Sequence, residues 1–143
     1  KAKTGSSTRF IDLANSVNSQ MPHVVAERAT GLLQEGWQAK RVRVLLAGLA
    51  YKPDTSDIRE SPGLAVAKIL SSKKMEVYAI DEHVADYDWP ETIVRVRPSD
   101  EQNFSLGIMI TAHSGFLELN PLVNCDKILD AQGILSGENV ETL

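Results

Sequence analysis

The apolar positions along this chain change period once, near residue 40. Before it they recur at helical spacing. Phe10, Leu13, Ala14, Val17 and Met21 predict an amphipathic helix over roughly residues 8–20. Pro22 then either breaks that helix or opens a new one at its first turn. Val25, Ala29, Leu32 and Leu33 continue the spacing until Gly36, which reads as a C-terminal stop.

Beyond residue 40 short apolar runs alternate with helical ones. Val42–Ala47 is too short for a helix and long enough for a buried strand. Ser61-Pro62 is a helix-start signal, and an apolar helix follows to about Ser72. Met75–Ile80 reads as a second strand ending at Asp81, Ile93–Val96 as a shorter one near a sheet edge, and Ser105–Thr111 as a third buried strand. Lys127–Asp130 is a last short strand, and short helices fit Asp100–Phe104 and Ser114–Leu119. Strands alternating with short crossovers imply parallel pairing with right-handed connections, an α/β, Rossmann-like doubly wound sheet. The helical segments before residue 39 read equally as a decoration packed on that sheet or as the end of another, helical domain.

Composition narrows the partners more than the fold. The 143 residues suffice for one domain, burying roughly 70% of the unfolded surface. A 43% hydrophobic and 24% charged content is that of an ordinary soluble protein. The net charge of −4 argues against a nucleic-acid partner, but a small phosphate ligand needs only a few local cations. The single cysteine, Cys125, excludes an internal disulfide and fits a reducing, cytoplasmic setting. No run approaches the roughly 18 apolar residues of a membrane span, and no signal peptide is read at the head. The opening Lys1–Ser7 carries no fold signal and reads as a tag remnant, a loop or the cut edge of a longer protein.

The candidate chemistry lies between Gly48 and Pro62, where a long loop joins a central strand to a helix N-terminus, a usual place for small ligands. It lacks G-x-G-x-x-G, so a standard dinucleotide turn is absent; Asp81, placed where a ribose-binding acid would sit, reads more readily as a strand-end residue. Lys52, with Tyr51 beside it, either reaches a phosphate or hydroxyl, or is a solvated lysine balancing Asp54 and Asp57. Ser61 and Pro62 have structural reasons as N-cap and first helical residue. Arg59, just before a helix N-terminus, is disfavoured by the dipole. It either grips an anion or pairs with Asp54, Asp57 or Glu60. His23, His83 and His113 lie far apart in sequence without metal-ligand spacing. His113 could line the sheet edge, though a turn role is the simpler reading. Cys125 has no activating neighbours, and no complete catalytic constellation assembles.

With these residues in view, Gly48-Leu49-Ala50-Tyr51-Lys52-Pro53-Asp54-Thr55 running into Asp57-Ile58-Arg59-Glu60-Ser61-Pro62 resembles the C-terminal, UDP-binding domain of the UDP-glucose/GDP-mannose dehydrogenase family. Val17-Asn18-Ser19-Gln20-Met21-Pro22, Ile110–Phe116 and Ile128-Leu129-Asp130 extend the resemblance over nearly all of residues 8–135. It implies that residues 1–38 are the end of a central helical, dimer-forming domain and residues 39–143 the nucleotide-sugar-binding domain. The implied enzyme is an NAD-dependent nucleotide-sugar 6-dehydrogenase, homodimeric at full length, oxidising the C6 hydroxyl of a UDP-sugar in two steps through a cysteine-bound intermediate. NAD would be held mainly by a missing N-terminal domain. The resemblance assigns Tyr51 and Lys52 to substrate and Arg59 to NAD. It also places Gln132 at the substrate, where many relatives have arginine; Gln132 can hydrogen-bond there but not pair ionically. The NAD glycines and the catalytic cysteine motif are missing, and Cys125 does not stand in for the latter, so no catalytic residue is assigned. The rival reading is a non-catalytic nucleotide-binding or assembly module.

Overall fold

The computed structural model describes the backbone of residues 2–143 and the side chains from residue 8 onward except at position 17. The central strands are apolar on both faces because both faces are covered. In β1 (Arg43–Ala47), Val44 and Leu46 point into one core cluster, and Leu45 and Ala47 into another on the opposite face. Two-sided burial of this kind is what parallel sheets require. β1 pairs with β2 (Glu76–Ile80) and with β4 (Phe104–Met109); β2 pairs with β3 (Val94–Arg95), and β4 with β5 (Cys125–Asp130), all in parallel. A last parallel strand, β6 (Val140–Thr142), joins β5 and was not anticipated. The order β3-β2-β1-β4-β5-β6 is that of a Rossmann-like sheet, with β3 at an edge as expected.

Helix α2 (Pro62–Ser72) begins where Ser61 and Pro62 place it and buries Val66, Ala67 and Leu70 on the sheet. α1 (Ala2–Thr30) departs from expectation in two ways. It is one helix that runs through Pro22, and it stops at Thr30, so Leu32 and Leu33 pack against the core from beyond its end. Pro22 removes a backbone donor, and the burial of Val25, Ala26 and Ala29 holds the segment after it in place. Before Pro22 the apolar stripe faces outward: Phe10 is 74% and Leu13 62% exposed. Val17, part of that stripe, and Lys1 lie outside the described residues.

The second face of the sheet is covered mostly without helices. α3 (Gly115–Glu118) forms as anticipated but is short. The helix expected over Asp100–Phe104 does not form. The Asp100 carboxylate accepts from the Arg97 amide (2.8 Å) and the Asp100 amide donates back to the Arg97 carbonyl (2.9 Å), closing a turn, and Phe104 already belongs to β4. Among the described residues no helix is long and apolar enough to cross a membrane.

One glycine sets the geometry where β1 ends. Gly48 has φ 93°, and a Cβ there would lie 2.6 Å from the Thr111 Cβ and closer still to the Thr111 carbonyl. Gly48→Ala should therefore combine the left-handed penalty with overpacking, and unfold about 2–5 kcal/mol more easily in urea. Gly115→Ala, with open space around its Cβ position, should stay within about 0.5 kcal/mol of the parent in the same titration.

Candidate functional site

Sequence order reverses direction between β1 and β4: the chain goes from β1 to β2 on one side and from β4 to β5 on the other. Ligands of such sheets bind outside the strand ends at this switch point. Two segments meet there, Gly48–Ser61 after β1 and Ile110–Ser114 after β4. They are stitched together by backbone and hydroxyl groups. The Ile110 and Thr111 amides donate to the Ala47 carbonyl (3.0 and 3.2 Å), and the buried Thr111 hydroxyl donates to the Ala50 carbonyl (2.7 Å). The Tyr51 amide donates to Asp57 O (2.7 Å), closing the loop on itself. Ser61 caps α2 as expected, its Oγ accepting from the Leu64 amide (3.4 Å), and donates to the Leu49 carbonyl.

Asp81, at the end of β2, has no exposed surface and anchors this loop. Its Oδ2 accepts from the Leu49 and Ala50 amides (2.8 and 2.9 Å) and lies 2.8 Å from His113 Nε2; its Oδ1 accepts from the His83 amide (2.9 Å). A carboxylate so committed is the strand-end residue of the simpler reading. His113, 2% exposed, completes the strap. The Asp54 amide donates to His113 Nδ1 (2.8 Å), so Nε2 carries the proton directed at Asp81. Asp54 in turn accepts from the Ser114 amide and hydroxyl (both 2.9 Å) and has φ 59°. The two strained non-glycine positions of the loop, Asp54 and Glu60 (φ 55°), lie between its anchors.

Sequence spacing separated His83 from His113, but the fold brings their rings to 4.3 Å. Ligand atoms of Asp54, His83 and His113 all lie within 4.8 Å of one another. Both ring nitrogens of His113 are already committed, to Asp54 and to Asp81, so this trio has no free imidazole pair with which to hold a cation. The strap was legible only in part, because the sequence shows an acid at one strand end and a histidine near another without showing that they meet.

The electrostatics separate the cations. Burial opposes charge on Asp81, but hydrogen bonds from His113, Ala50 and Leu49 outweigh it and hold the carboxyl below its ordinary range. Hydrogen bonds from Ser114 likewise lower Asp54. Arg59 forks onto Asp57, with Nε 3.1 and 3.2 Å from the two oxygens and Nη2 at 2.8 Å, which pulls Asp57 down to about 2. Of the partners open to Arg59, Asp57 is therefore the one it takes. Both acids that might have balanced Lys52 are engaged elsewhere, and among the described residues Lys52 has no ion pair. Its Nζ lies 5.8 Å from the Tyr51 ring centroid.

Tyr51, Lys52 and Gln132 come together. They line a cleft of about 990 Å³ with Glu60, Ser61 and Pro62 on one side and Asn15, Asn18, Met21 and Pro22 of α1 on another. Arg59 does not line it; its side chain is 87% exposed and paired with Asp57. The α1 amides and Glu60 were not anticipated as cleft residues, since only packing brings α1 beside the sheet edge. Cys125 is buried, and burial pushes its thiol up to about 12, so it is inert at neutral pH. A smaller cavity of about 290 Å³, lined by Phe104, Phe116 and Val96 among others, lies on the opposite face and includes none of Tyr51, Lys52, Arg59 and Gln132.

Residues 45–140 match the family model for the UDP binding domain of the UDP-glucose/GDP-mannose dehydrogenase family. The chain is 29% identical over 146 residues to a UDP-glucose 6-dehydrogenase of Rickettsia conorii, covering 94% of this chain and 33% of that protein. It is 26% identical over 138 residues to a UDP-N-acetyl-D-mannosamine dehydrogenase of Yersinia pestis, covering 88% and 32%. The solved UDP-N-acetyl-mannosamine dehydrogenase Cap5O from S. aureus superimposes with a TM-score of 0.73 at 25% identity, over 99% of this chain and 34% of that one. The chain thus spans about a third of the length of these relatives.

The strap makes a pH prediction whose sign follows from the lowered carboxyl. Asp81 contributes its full stability above the ordinary carboxylate value of about 3.9 and loses it as pH falls through the folded value. Asp81→Asn turns an amide NH₂ toward either the His83 amide or the donors on Oδ2, and should cost about 2–3 kcal/mol at pH 7. In urea titrations the gap between parent and variant should narrow from pH 5 to pH 2; a gap independent of pH would remove Asp81 from this role.

Proposed function

The chain belongs to the UDP-glucose/GDP-mannose dehydrogenase family and matches its UDP-binding domain, and from that premise we propose that it is the nucleotide-sugar-holding part of an NAD-dependent nucleotide-sugar 6-dehydrogenase. The observation that carries the reading is the open Lys52 ammonium beside Tyr51 in the cleft, with Asp54 held by Ser114 and Asp57 held by Arg59. A mobile, unspent cation next to an aromatic face suits a ligand that joins phosphate to sugar and base. In this reading Tyr51, Lys52 and Gln132 contact the UDP-sugar. Residues 1–38 are the end of a central helical domain, whose cleft-facing Asn15, Asn18 and Met21 complete the wall, and residues 39–143 are the nucleotide-binding domain. The unpartnered apolar stripe around Phe10 and Leu13 suits a further domain or a second protomer of a homodimer.

The chain's chemical contribution in this assignment is positioning: holding the nucleotide fixes where the sugar's reacting carbon lies. The residues do not form a cradle for NAD. After β1 there is Gly48 alone, and its Cα is pressed against Thr111 rather than open to a pyrophosphate. NAD therefore belongs to another domain of the enzyme, and the only residue assigned toward it is Arg59, whose exposed guanidinium keeps free donors while paired with Asp57. The buried Cys125 is not the thiol of the reaction.

Calorimetric titration of this chain with UDP, GDP and NAD tests the reading. Saturable UDP binding is expected, with GDP and NAD weak. Lys52→Ala should weaken UDP binding by about 1.5–3 kcal/mol through loss of a charge-assisted hydrogen bond; unchanged affinity would remove Lys52 from the site.

A further inference from the structure

A parallel sheet needs both faces covered, and the two faces here are covered unequally. Helices α1 and α2 pack on one of them. On the other, the chain is too short to supply a long helix. The crossover from β3 to β4, residues 96–103, must pass β2 and β1 before it reaches β4, about 14 Å sideways at the usual strand spacing. It must also run back along the sheet from the end of one strand to the start of the next. Fully extended it reaches about 28 Å, which leaves no length for coiling at about 1.5 Å per residue. The crossover from β4 to β5 holds only the short α3. Leu45, Ile80 and Phe104, which a crossover helix would cover, therefore floor the cavity of about 290 Å³ together with Phe116. Its apolar lining continues outward onto Leu119 and Val123, which are 66% and 72% exposed. Single exposed apolar side chains need no explanation, but a continuous surface running into a cavity marks an interaction site.

The charge around this surface is one-sided. Residues 81–126 carry nine Asp and Glu against two Arg and no Lys. Both arginines are already spent within the stretch, Arg95 on Asp86 (3.1 Å) and Arg97 on Asp86 (3.0 Å) and Glu82 (3.6 Å). Asp100, Glu101 and Glu118 are exposed and, among the described residues, have no ion pair. We propose that this face is a docking groove for a basic amphipathic helix of a protein partner. Its apolar stripe lies over Phe116, Leu119 and Val123, and its Lys and Arg side chains meet Asp100, Glu101 and Glu118. The layer a parallel sheet lacks is a helical one, and apolar grooves of this kind take the apolar face of an amphipathic helix. The sign of the charge selects a basic helix, since an acidic one would be repelled at the rim. The groove shares no lining residue with the cleft that holds Tyr51 and Lys52, so it can be filled whether or not a nucleotide binds.

The probe is a fluorescein-labelled peptide of about 18 Leu and Lys residues, with Leu at the i, i+3, i+4, i+7 spacing of an amphipathic helix, titrated with the full chain by fluorescence anisotropy. One control peptide has the same residues shuffled so that the stripe is lost, and another has Glu for every Lys. The helical Leu/Lys peptide should bind saturably and roughly tenfold or more tighter than either control. Leu119→Ser and Val123→Ser, exposed changes that the fold tolerates, should each weaken it roughly three- to tenfold. Glu118→Lys should weaken it more than Glu35→Lys, the same charge change at an exposed position that does not border the groove. Absence of saturable binding overturns the proposal. Equal effects of the two charge reversals, or a shuffled peptide that binds as well as the helical one, would leave charge attraction alone and overturn it too. So would peptide-induced amide shifts that fall on α1 around Phe10 and Leu13 rather than between Phe116 and Asn124. A parent that sediments as a dimer and becomes monomeric with Val123→Ser would give the face to a second copy of this chain, again against the proposal.

Discussion

The buried carboxylate of Asp81 is the constraint on which the site depends. It sits at the end of β2, yet it receives the Leu49 and Ala50 amides from the loop after β1, the His83 amide from its own turn and the His113 ring from beyond β4. Three neighbouring strand ends are thereby tied to one charge. A charge with no exposed surface is tolerable only when donors surround it, and the same donors make the loop's path unique. His113 passes the constraint on to the Asp54 amide. The strained backbone at Asp54 and Glu60 is thus held between fixed points rather than free to relax.

That rigidity has an electrostatic result. The loop contains more acid than base around Lys52, and the expected outcome would be mutual neutralisation. The fold instead gives Asp54 and Asp57 different partners: Ser114 for Asp54, Arg59 for Asp57. Lys52 is left open toward a cleft whose far wall is α1. Gln132, whose Nε2 donates to the Ile110 carbonyl, lines the same space.

What chain order alone revealed was set by local rules. β1, α2, β2, β4 and β5 were legible because two-sided burial writes continuous apolar runs and because Ser61 and Pro62 satisfy a helix start. Tyr51, Lys52, Arg59 and Gln132 were singled out because they lie in strand-end loops or in a long, family-like motif. The misreadings at Pro22 and β6 share one cause, a partner distant in sequence. Pro22 looked like a break because its neighbours' burial against the sheet was invisible. For Phe10 and Leu13 spacing reported a stripe and not what covers it. β6 has only three residues and exists because β5 offers an edge, and the Asp100 segment turns because one carboxylate finds the Arg97 amide.

The sequence by itself therefore determined a parallel α/β sheet with a long loop at its switch point, because periodicity, capping and turn chemistry act over a few residues. Tertiary structure alone decided which charges stay free. Asp81 meets His113, Arg59 takes Asp57 rather than Asp54 or Glu60, and Gln132 turns its donor to Ile110 only once strands and loops are packed side by side. Pairing of charges depends on distances between residues far apart in the chain, and those distances exist only after folding.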